Sequence, residues 1–106
     1  MVHHIVLYRL KQSPTPEILD EMMLKSRTML LRIPEVLSIR CGRNTEGPNT
    51  EYPFFVAIDF DSLAKLEVFR DHPVYLKYME DVIKPLTTGH LVLNYEMEPR
   101  SMTAMA

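Results

Sequence analysis

Four segments of the chain carry the apolar and polar pattern of β-strands. The first, 2–11, is β-branched and apolar over the length of a strand, and the second, 36–43, alternates between apolar and polar residues. The third, 54–60, carries the strongest strand signal. The fourth, 90–97, alternates again after a Thr-Thr-Gly segment that is typical of a turn.

The stretches between these strands have the spacing of amphipathic helices. In the first stretch, Thr15 is a candidate helix cap with Pro16 at the first helical position, and Pro34 ends the helix. In the second stretch, an Asp-Ser pair caps a helix over 63–71, and Pro73 begins a further helix because proline starts helices better than it continues them. The apolar arc of the first helix comprises Ile18, Leu19, Met22, Met23, Ser26, Met29, Leu30 and Ile33.

The order of elements is therefore β-α-β-β-α-α-β, which predicts a ferredoxin-like α+β fold. We expect one four-stranded antiparallel sheet with its helices on one face. The strands are apolar on both faces, because Ile5 and Leu7 of the first strand and Phe55 and Ala57 of the third lie opposite the residues that face the helices. We therefore predict a homodimer in which the open face of one sheet meets that of a second subunit.

Composition narrows the function classes. The 106 residues predict a single domain at 1–98 and a flexible tail at 99–106. A net charge of −2 without a basic run gives nucleic acid little to bind, and no apolar stretch is long enough to span a membrane. One cysteine excludes an intrachain disulfide, and without a leader-like start we expect a cytoplasmic protein. No glycine-rich phosphate loop or metal motif is present, so we expect neither cofactor nor metal.

His4 is the leading candidate for chemistry. It shares a strand face with Tyr8, and helices over that face would enclose the imidazole in a partly apolar pocket. A neutral histidine near pH 7 suits proton abstraction next to a carbonyl, and the alternative is a core histidine satisfied by its neighbours. Tyr75 and Tyr78 face inward from the last helix, either packing their rings or orienting a ligand, and His72 precedes a proline where it can cap a helix.

Three further residues carry simpler expectations. His3 points away from His4 because strand neighbours alternate, so the pair is not a metal site. Cys41 lies on an apolar face, where burial raises the pKa of a thiol and makes it inert. His90 starts the fourth strand in an exposed position.

Four motifs in order resemble the stress-responsive dimeric α/β-barrel (Dabb) family. They are Val-His-His-Ile-Val-Leu-Tyr-Arg-Leu-Lys at 2–11, Arg-Ile-Pro-Glu-Val-Leu-Ser at 32–38, Asp-His-Pro-Val-Tyr at 71–75 and Ile-Lys-Pro-Leu at 83–86. The resemblance covers about 2–97. It implies a homodimer whose two four-stranded sheets close into a barrel.

The family contains proteins of unknown function and a few enzymes, among them plant polyketide cyclases that need no metal or cofactor. The resemblance matches His4 to a first-strand histidine of the cyclases. Tyr75 stands where those enzymes have a second catalytic histidine, and Phe69 where they have a tyrosine. A tyrosine with a pKa of about 10 is a poor base at pH 7, so the cyclase mechanism does not transfer unchanged.

Two functions follow from this pattern. The first is a dimer that binds a small apolar or aromatic ligand, or acts in assembly, without turnover. The second is a cofactor-free enzyme of the polyketide cyclase, isomerase or monooxygenase type that uses His4 as the base. Its pocket would hold Tyr75 and be lined by Tyr8, Phe69, His72 and Tyr78. A cavity of roughly 300 Å³ or more reached by both His4 and Tyr75 distinguishes the second function from the first.

Overall fold

One antiparallel sheet of four strands carries a layer of helices on one face. The computed structural model describes residues 1–98 and 103–104, so most of the tail predicted at 99–106 lies outside the described residues. The strands lie side by side in the order β2-β3-β1-β4, which confirms the ferredoxin-like topology. In chain order the elements are β1 (Val2–Leu10), α1 (Pro16–Leu30), β2 (Ser38–Arg43), β3 (Phe54–Phe60), α2 (Leu63–Arg70), α3 (Pro73–Tyr78), a π-helical turn (Met79–Ile83) and β4 (Thr87–Glu96).

Each α-helix begins at a side chain that caps it. Thr15 and Ser62 accept a hydrogen bond from the backbone N–H three residues later, at 3.2 and 3.3 Å. His72 does the same for α3 through its Nδ1 atom, which accepts from the N–H two residues later at 3.1 Å. Pro16 and Pro73 occupy first helical positions, where a missing N–H costs nothing. The caps at Thr15, Ser62 and His72 are therefore as the sequence predicts.

Helix α1 ends earlier than predicted. It stops at Leu30, and the N–H of Arg32 bonds to the carbonyl of Met29, one residue closer than in an α-helix. Residues before a proline avoid the α conformation, so the chain tightens and leaves the helix ahead of Pro34. Ile18 also departs from the predicted apolar arc, because 38% of its surface is exposed.

Strand β4 begins at Thr87, where the sequence predicts a turn. The strand starts there because it pairs with the end of β1. Arg9 pairs with Gly89 and, beyond a bulge, Leu10 pairs with Thr87. A second difference is the π-helical turn after α3, which nothing in the local sequence signals. Strand β2 is likewise two residues shorter than the segment predicted for it.

The core lies between the sheet and the helices. Alternate residues of β1 and β3 point into it, as their period of two predicts. The buried apolar residues that form this core are Val2, Val6, Tyr8, Leu19, Met22, Leu30, Ile33, Phe54, Val56, Ile58, Phe60, Leu66, Phe69, Tyr78, Val82 and Ile83.

The other face of the sheet is apolar at its centre, and we call it the open face. The register places Ala57, Ile5 and Leu93 in one row across β3, β1 and β4, with Phe55, Leu7 and Leu91 in the next. The Phe55 ring covers Gly42 on β2, so closely that a Cβ at Gly42 would overlap it. Leu91 and Tyr95 are 40% and 56% exposed.

Candidate functional site

His4 lies in the middle of β1 on the helix side of the sheet. Only 4% of its surface is exposed. Its Nδ1 atom is 2.5 Å from Oδ1 of Asn94, its pairing partner on β4. The rings of Phe60 and Phe69 meet the imidazole edge-on, with centroids 6.4 and 6.1 Å away. Strand pairing and two aromatic walls therefore fix the orientation of this histidine.

The surroundings of His4 favour its neutral form. Burial lowers its pKa, the bond to Asn94 partly opposes this, and the charge of Arg70 lowers the pKa further. With the amide oxygen of Asn94 as acceptor, Nδ1 carries the proton and Nε2 carries the lone pair. Among the described residues Nε2 has no hydrogen-bond partner, yet no side-chain nitrogen there is both unpartnered and fully enclosed. The lone pair of Nε2 therefore reaches accessible space.

An aromatic cluster extends from His4 to the last helix. Phe69 contacts His4 on one side, and its ring centroid is 4.4 Å from that of Tyr75. Tyr75 in turn lies 6.4 Å from Tyr78, and Phe60 packs on Phe69 at 5.0 Å. Of the candidates from the sequence, His4, Phe69, Tyr75 and Tyr78 thus come together.

The tyrosines of this cluster are held in their phenol forms. The hydroxyl of Ser26 donates to the carbonyl of Met22 at 2.7 Å, so Tyr78 donates its own hydroxyl proton to Ser26, also at 2.7 Å. Burial raises the pKa of Tyr78 far above its usual range and also raises the pKa of Tyr75. Neither phenol can act as a base at neutral pH.

Tyr8 and His72 have contacts of other kinds. Tyr8 stacks on Phe54 at 6.0 Å and meets His90 at 6.1 Å, and burial raises its pKa well above 10.0. His72 uses Nδ1 to cap α3. Tyr8 is therefore a core residue with a hydroxyl, and His72 is a helix cap.

Several clefts of the described surface lie away from the aromatic cluster. Five of them have volumes between about 100 and 350 Å³, and none of the five is lined by His4, Phe69 or Tyr75. The largest lies between the π-helical turn and the start of β4. None of these five clefts provides the space between His4 and Tyr75 that the enzyme hypothesis requires.

A second polar cluster lies on the opposite side of the sheet. Nδ1 of His3 bonds to Oδ1 of Asp59, and Ser38 donates to Oδ2 at 2.8 Å, with Arg40 at 3.9 Å. Burial alone would raise the pKa of Asp59, but the bonds from Ser38 and His3 and the charges of His3 and Arg40 lower it overall. We call these four residues the open-face polar cluster.

The described residues were also compared with the requirements of a metal site and of a reactive thiol. There, no group of three or more His, Cys, Asp or Glu side chains is arranged to hold a metal ion. His3 and His4 point to opposite faces, as the sequence predicts. Burial raises the pKa of Cys41 to about 11, so its thiol stays protonated at neutral pH. Over the same residues, no helix is both long and apolar enough to cross a bilayer.

The order of the elements and the strand order β2-β3-β1-β4, with the helices on one face, define a ferredoxin-like α+β protein. The chain belongs to the stress responsive A/B barrel (Dabb) domain family, whose model matches residues 2–97. No curated protein sequence matches it.

Solved structures share this fold at low sequence identity. A Dabb family protein with a ferredoxin-like fold from Mesorhizobium loti has a TM-score of 0.77 and 21% identity, covering 92% of this chain and 96% of the other. A dimeric ferredoxin-like protein of unknown function from Thermobifida fusca scores 0.76 at 21% identity, covering 91% and 90%. A hydroxynitrile lyase from Passiflora edulis scores 0.75 at 21% identity, covering 95% and 96%.

Sequence reasoning did not identify two polar residues of the site. Asn94 holds His4 but lies 90 positions along the chain, and only the pairing of β1 with β4 brings the two together. Ser26 holds Tyr78 from the middle of α1. A serine within an apolar helical arc was the available signal, since a buried hydroxyl needs a partner.

Proposed function

We propose that the protein works as a homodimer in which two open faces pack against each other. The apolar rows at the centre of that face carry this proposal, because they lie on the side of the sheet opposite the described helices and their Leu91 is 40% exposed. Solvent-exposed apolar area of this kind is what protein interfaces bury. The Thermobifida fusca relative is dimeric, which supports the same arrangement here.

Sedimentation equilibrium at micromolar concentration tests the dimer. The wild type is expected at about twice 12.4 kDa. Leu7→Glu introduces a charge at the centre of the open face and should give the monomer mass, because two carboxylates would be buried across the two-fold axis. Leu63→Glu, at an exposed position on α2, is the matched control and should remain dimeric. A monomeric wild type, or a dimeric Leu7→Glu, would contradict the proposal.

For the activity of this dimer we propose binding of a small apolar ligand without turnover. Two observations support binding over catalysis. None of the five clefts is lined by His4 or Tyr75, and the clefts at the start of α1 have apolar walls of Leu, Ile, Pro, Met and Val beside their polar ones. Small-molecule sites are typically concave and apolar with a few polar groups.

Thermal unfolding with a panel of aliphatic and aromatic compounds tests ligand binding. A ligand at 100 times its Kd adds about 2.7 kcal/mol to the free energy of unfolding. We therefore expect a rise in Tm of several degrees for at least one class of compound. An unchanged Tm across the whole panel would count against ligand binding and leave assembly as the function.

One observation favours a second candidate, cofactor-free proton transfer by His4. The imidazole is neutral, Asn94 orients it, and the lone pair of Nε2 is free among the described residues. The structural similarity to a hydroxynitrile lyase suggests a cyanohydrin as a probe. Nε2 would take the hydroxyl proton, the C–C bond to cyanide would break, and the imidazolium would protonate the cyanide that leaves.

Benzaldehyde release from mandelonitrile tests this second candidate. His4→Ala should reduce the rate by about 10²- to 10⁴-fold, the usual contribution of a positioned base. Asn94→Ala should reduce it less and shift the pH profile, because Asn94 only orients the ring. Equal rates for the wild type and His4→Ala would exclude His4 as the base.

A further inference from the structure

An apolar groove lies where the start of α1 meets the segment that follows the π-helical turn. It consists of two adjoining clefts of about 170 and 250 Å³, which share Ile18, Pro85 and Leu86 as walls. Together they exceed roughly 300 Å³, the lower range of small-ligand sites. We call this pair of clefts the α1 groove.

The walls of the α1 groove are fixed by the fold. The backbone N–H of Lys11 donates to the carbonyl of Leu86 at 3.0 Å and ties the end of β1 to the opposite wall. Thr15 caps α1 beside it, which fixes the helix that carries Ile18. Ile18 and Leu86 nevertheless keep 38% and 37% of their surface exposed. The groove therefore offers apolar area on a preformed surface.

Charge is distributed unevenly along the groove. Lys11 is the one charged residue that lines the first cleft. The second cleft has Glu21, Lys25 and Asp81, but Lys25 pairs with Glu21 at 2.9 Å and Asp81 with Lys77 at 3.2 Å. An anion is therefore attracted at the first cleft and meets two carboxylates at the second.

We propose that the α1 groove binds a small amphiphilic carboxylate, with its carboxylate at Lys11 and its apolar chain along Ile18 and Leu86. The chain would end against Met22 and Val82, which line the second cleft. The proposal rests on the ligand-binding function proposed above and adds the place and the chemical class of the ligand. It is independent of His4, which does not line either cleft.

Three probes with one chain and different head groups test the site. Octanoate, octan-1-ol and octyltrimethylammonium are titrated below micelle formation into the full-length protein, and methyl resonances are followed by NMR. We expect saturable shifts at Ile18, Leu86 and Val82. Octanoate should bind up to about fivefold more tightly than the cationic probe, the range of a solvent-exposed ion pair.

Three variants separate the head-group contact from the apolar one. Lys11→Glu should weaken octanoate by about five- to tenfold, strengthen the cationic probe and leave octan-1-ol unchanged. Ile18→Gln should weaken all three probes because it removes shared apolar area. Leu24→Gln, at an exposed site on α1 that does not line either cleft, is the control and should change none.

The outcomes distinguish the α1 groove from the more general proposal that the protein binds an apolar ligand. Shifts centred on the open face or the aromatic cluster would overturn the α1 groove while leaving ligand binding intact. If octanoate binds in the groove with the same affinity to the wild type and to Lys11→Glu, the assignment of the carboxylate to Lys11 is wrong. No binding of any probe, together with an unchanged Tm across the compound panel, would overturn both proposals.

Discussion

His3 and His4 follow one another on β1 and lie in opposite environments. His3 faces the open side of the sheet and bonds to a carboxylate, that of Asp59. His4 faces the helices and bonds to a neutral amide, that of Asn94, between the rings of Phe60 and Phe69. The alternation of a strand thus separates two chemistries by a single residue.

The two faces differ in what they still lack. On the helix face, the described helices bury the alternate side chains of β1 and β3, whereas Val92 of the edge strand β4 stays 40% exposed. The open face carries the apolar rows, in which Leu91 is 40% exposed, and the open-face polar cluster. We therefore expect the first face to govern the stability of the subunit and, in the dimer proposed above, the second face to govern assembly.

Phenylalanines on the two faces should show the largest contrast. Phe69 is fully buried in the aromatic cluster, and Phe69→Ala should lower the free energy of unfolding by about 3–5 kcal/mol. Phe55→Ala removes a ring from the open face and should act mainly by weakening the dimer. Urea unfolding at several protein concentrations separates them. The deficit of Phe55→Ala should grow with concentration and that of Phe69→Ala should not. Equal behaviour would contradict the division of the two faces.

A substitution at Gly42 should disrupt packing on the open face and leave the helix face unchanged. Gly42→Val forces the Phe55 ring out of its position, and overpacking of this kind costs about 1–3 kcal/mol. We expect the dimer to dissociate at least about tenfold more readily in sedimentation experiments. Gly89→Val is the control, because no atom lies within 4 Å of a Cβ built there. A dimer unaffected by Gly42→Val would place the interface elsewhere.

Two tyrosines, one on each face, should differ in stability by a smaller amount than the two phenylalanines. Tyr78→Phe removes a buried hydroxyl that donates to Ser26 and should cost about 0.5–1.5 kcal/mol. Tyr95→Phe removes a hydroxyl from an exposed ring on the open face and should cost almost nothing. Urea unfolding at a low, fixed protein concentration compares the two. Similar losses would mean that the Tyr78 bond contributes no stability.

The two faces should also differ in how their stability depends on pH, and we expect this difference to be the smallest of those predicted here. Burial holds the pKa of His4 below 6.5 in the fold, so the unfolded chain takes up this proton first and stability falls as pH drops below 6.5. The lowered pKa of Asp59 stabilises the fold above pH 3.8, and this contribution is lost as pH falls through the folded value.

Two variants test which residue causes the loss of stability in each pH range. His4→Gln should flatten the stability profile just below pH 6.5, and Asp59→Asn should flatten it below about pH 4. A profile for His4→Gln that parallels the wild type would mean that another group titrates there.

Local signals explain how much of this fold the sequence predicts. The caps at Thr15 and Ser62 and the restart at Pro73 depend on neighbouring residues, so they can be identified without the fold. The start of β4 could not, because its pairing with the end of β1 overrides the turn pattern of Thr-Thr-Gly.

The site was predictable only in part, for the same reason. The period of two in β1 is enough to put His4 on the helix face. Asn94 requires the β1–β4 register, and the ring contacts that link His4 through Phe69 to Tyr75 require the positions of α2 and α3. These depend on contacts between distant segments, which no local pattern encodes.

Contacts between subunits test the central claim, that the open face is the dimer interface. In a mixture of isotope-labelled and unlabelled protein, filtered NMR detects nuclear Overhauser effects that arise only between protomers. If the open face is the interface, such effects are expected at the methyl groups of Ile5, Leu7 and Leu91. Intermolecular effects confined to helix residues such as Leu24 and Leu31, or none at concentrations where a dimer is present, would contradict it.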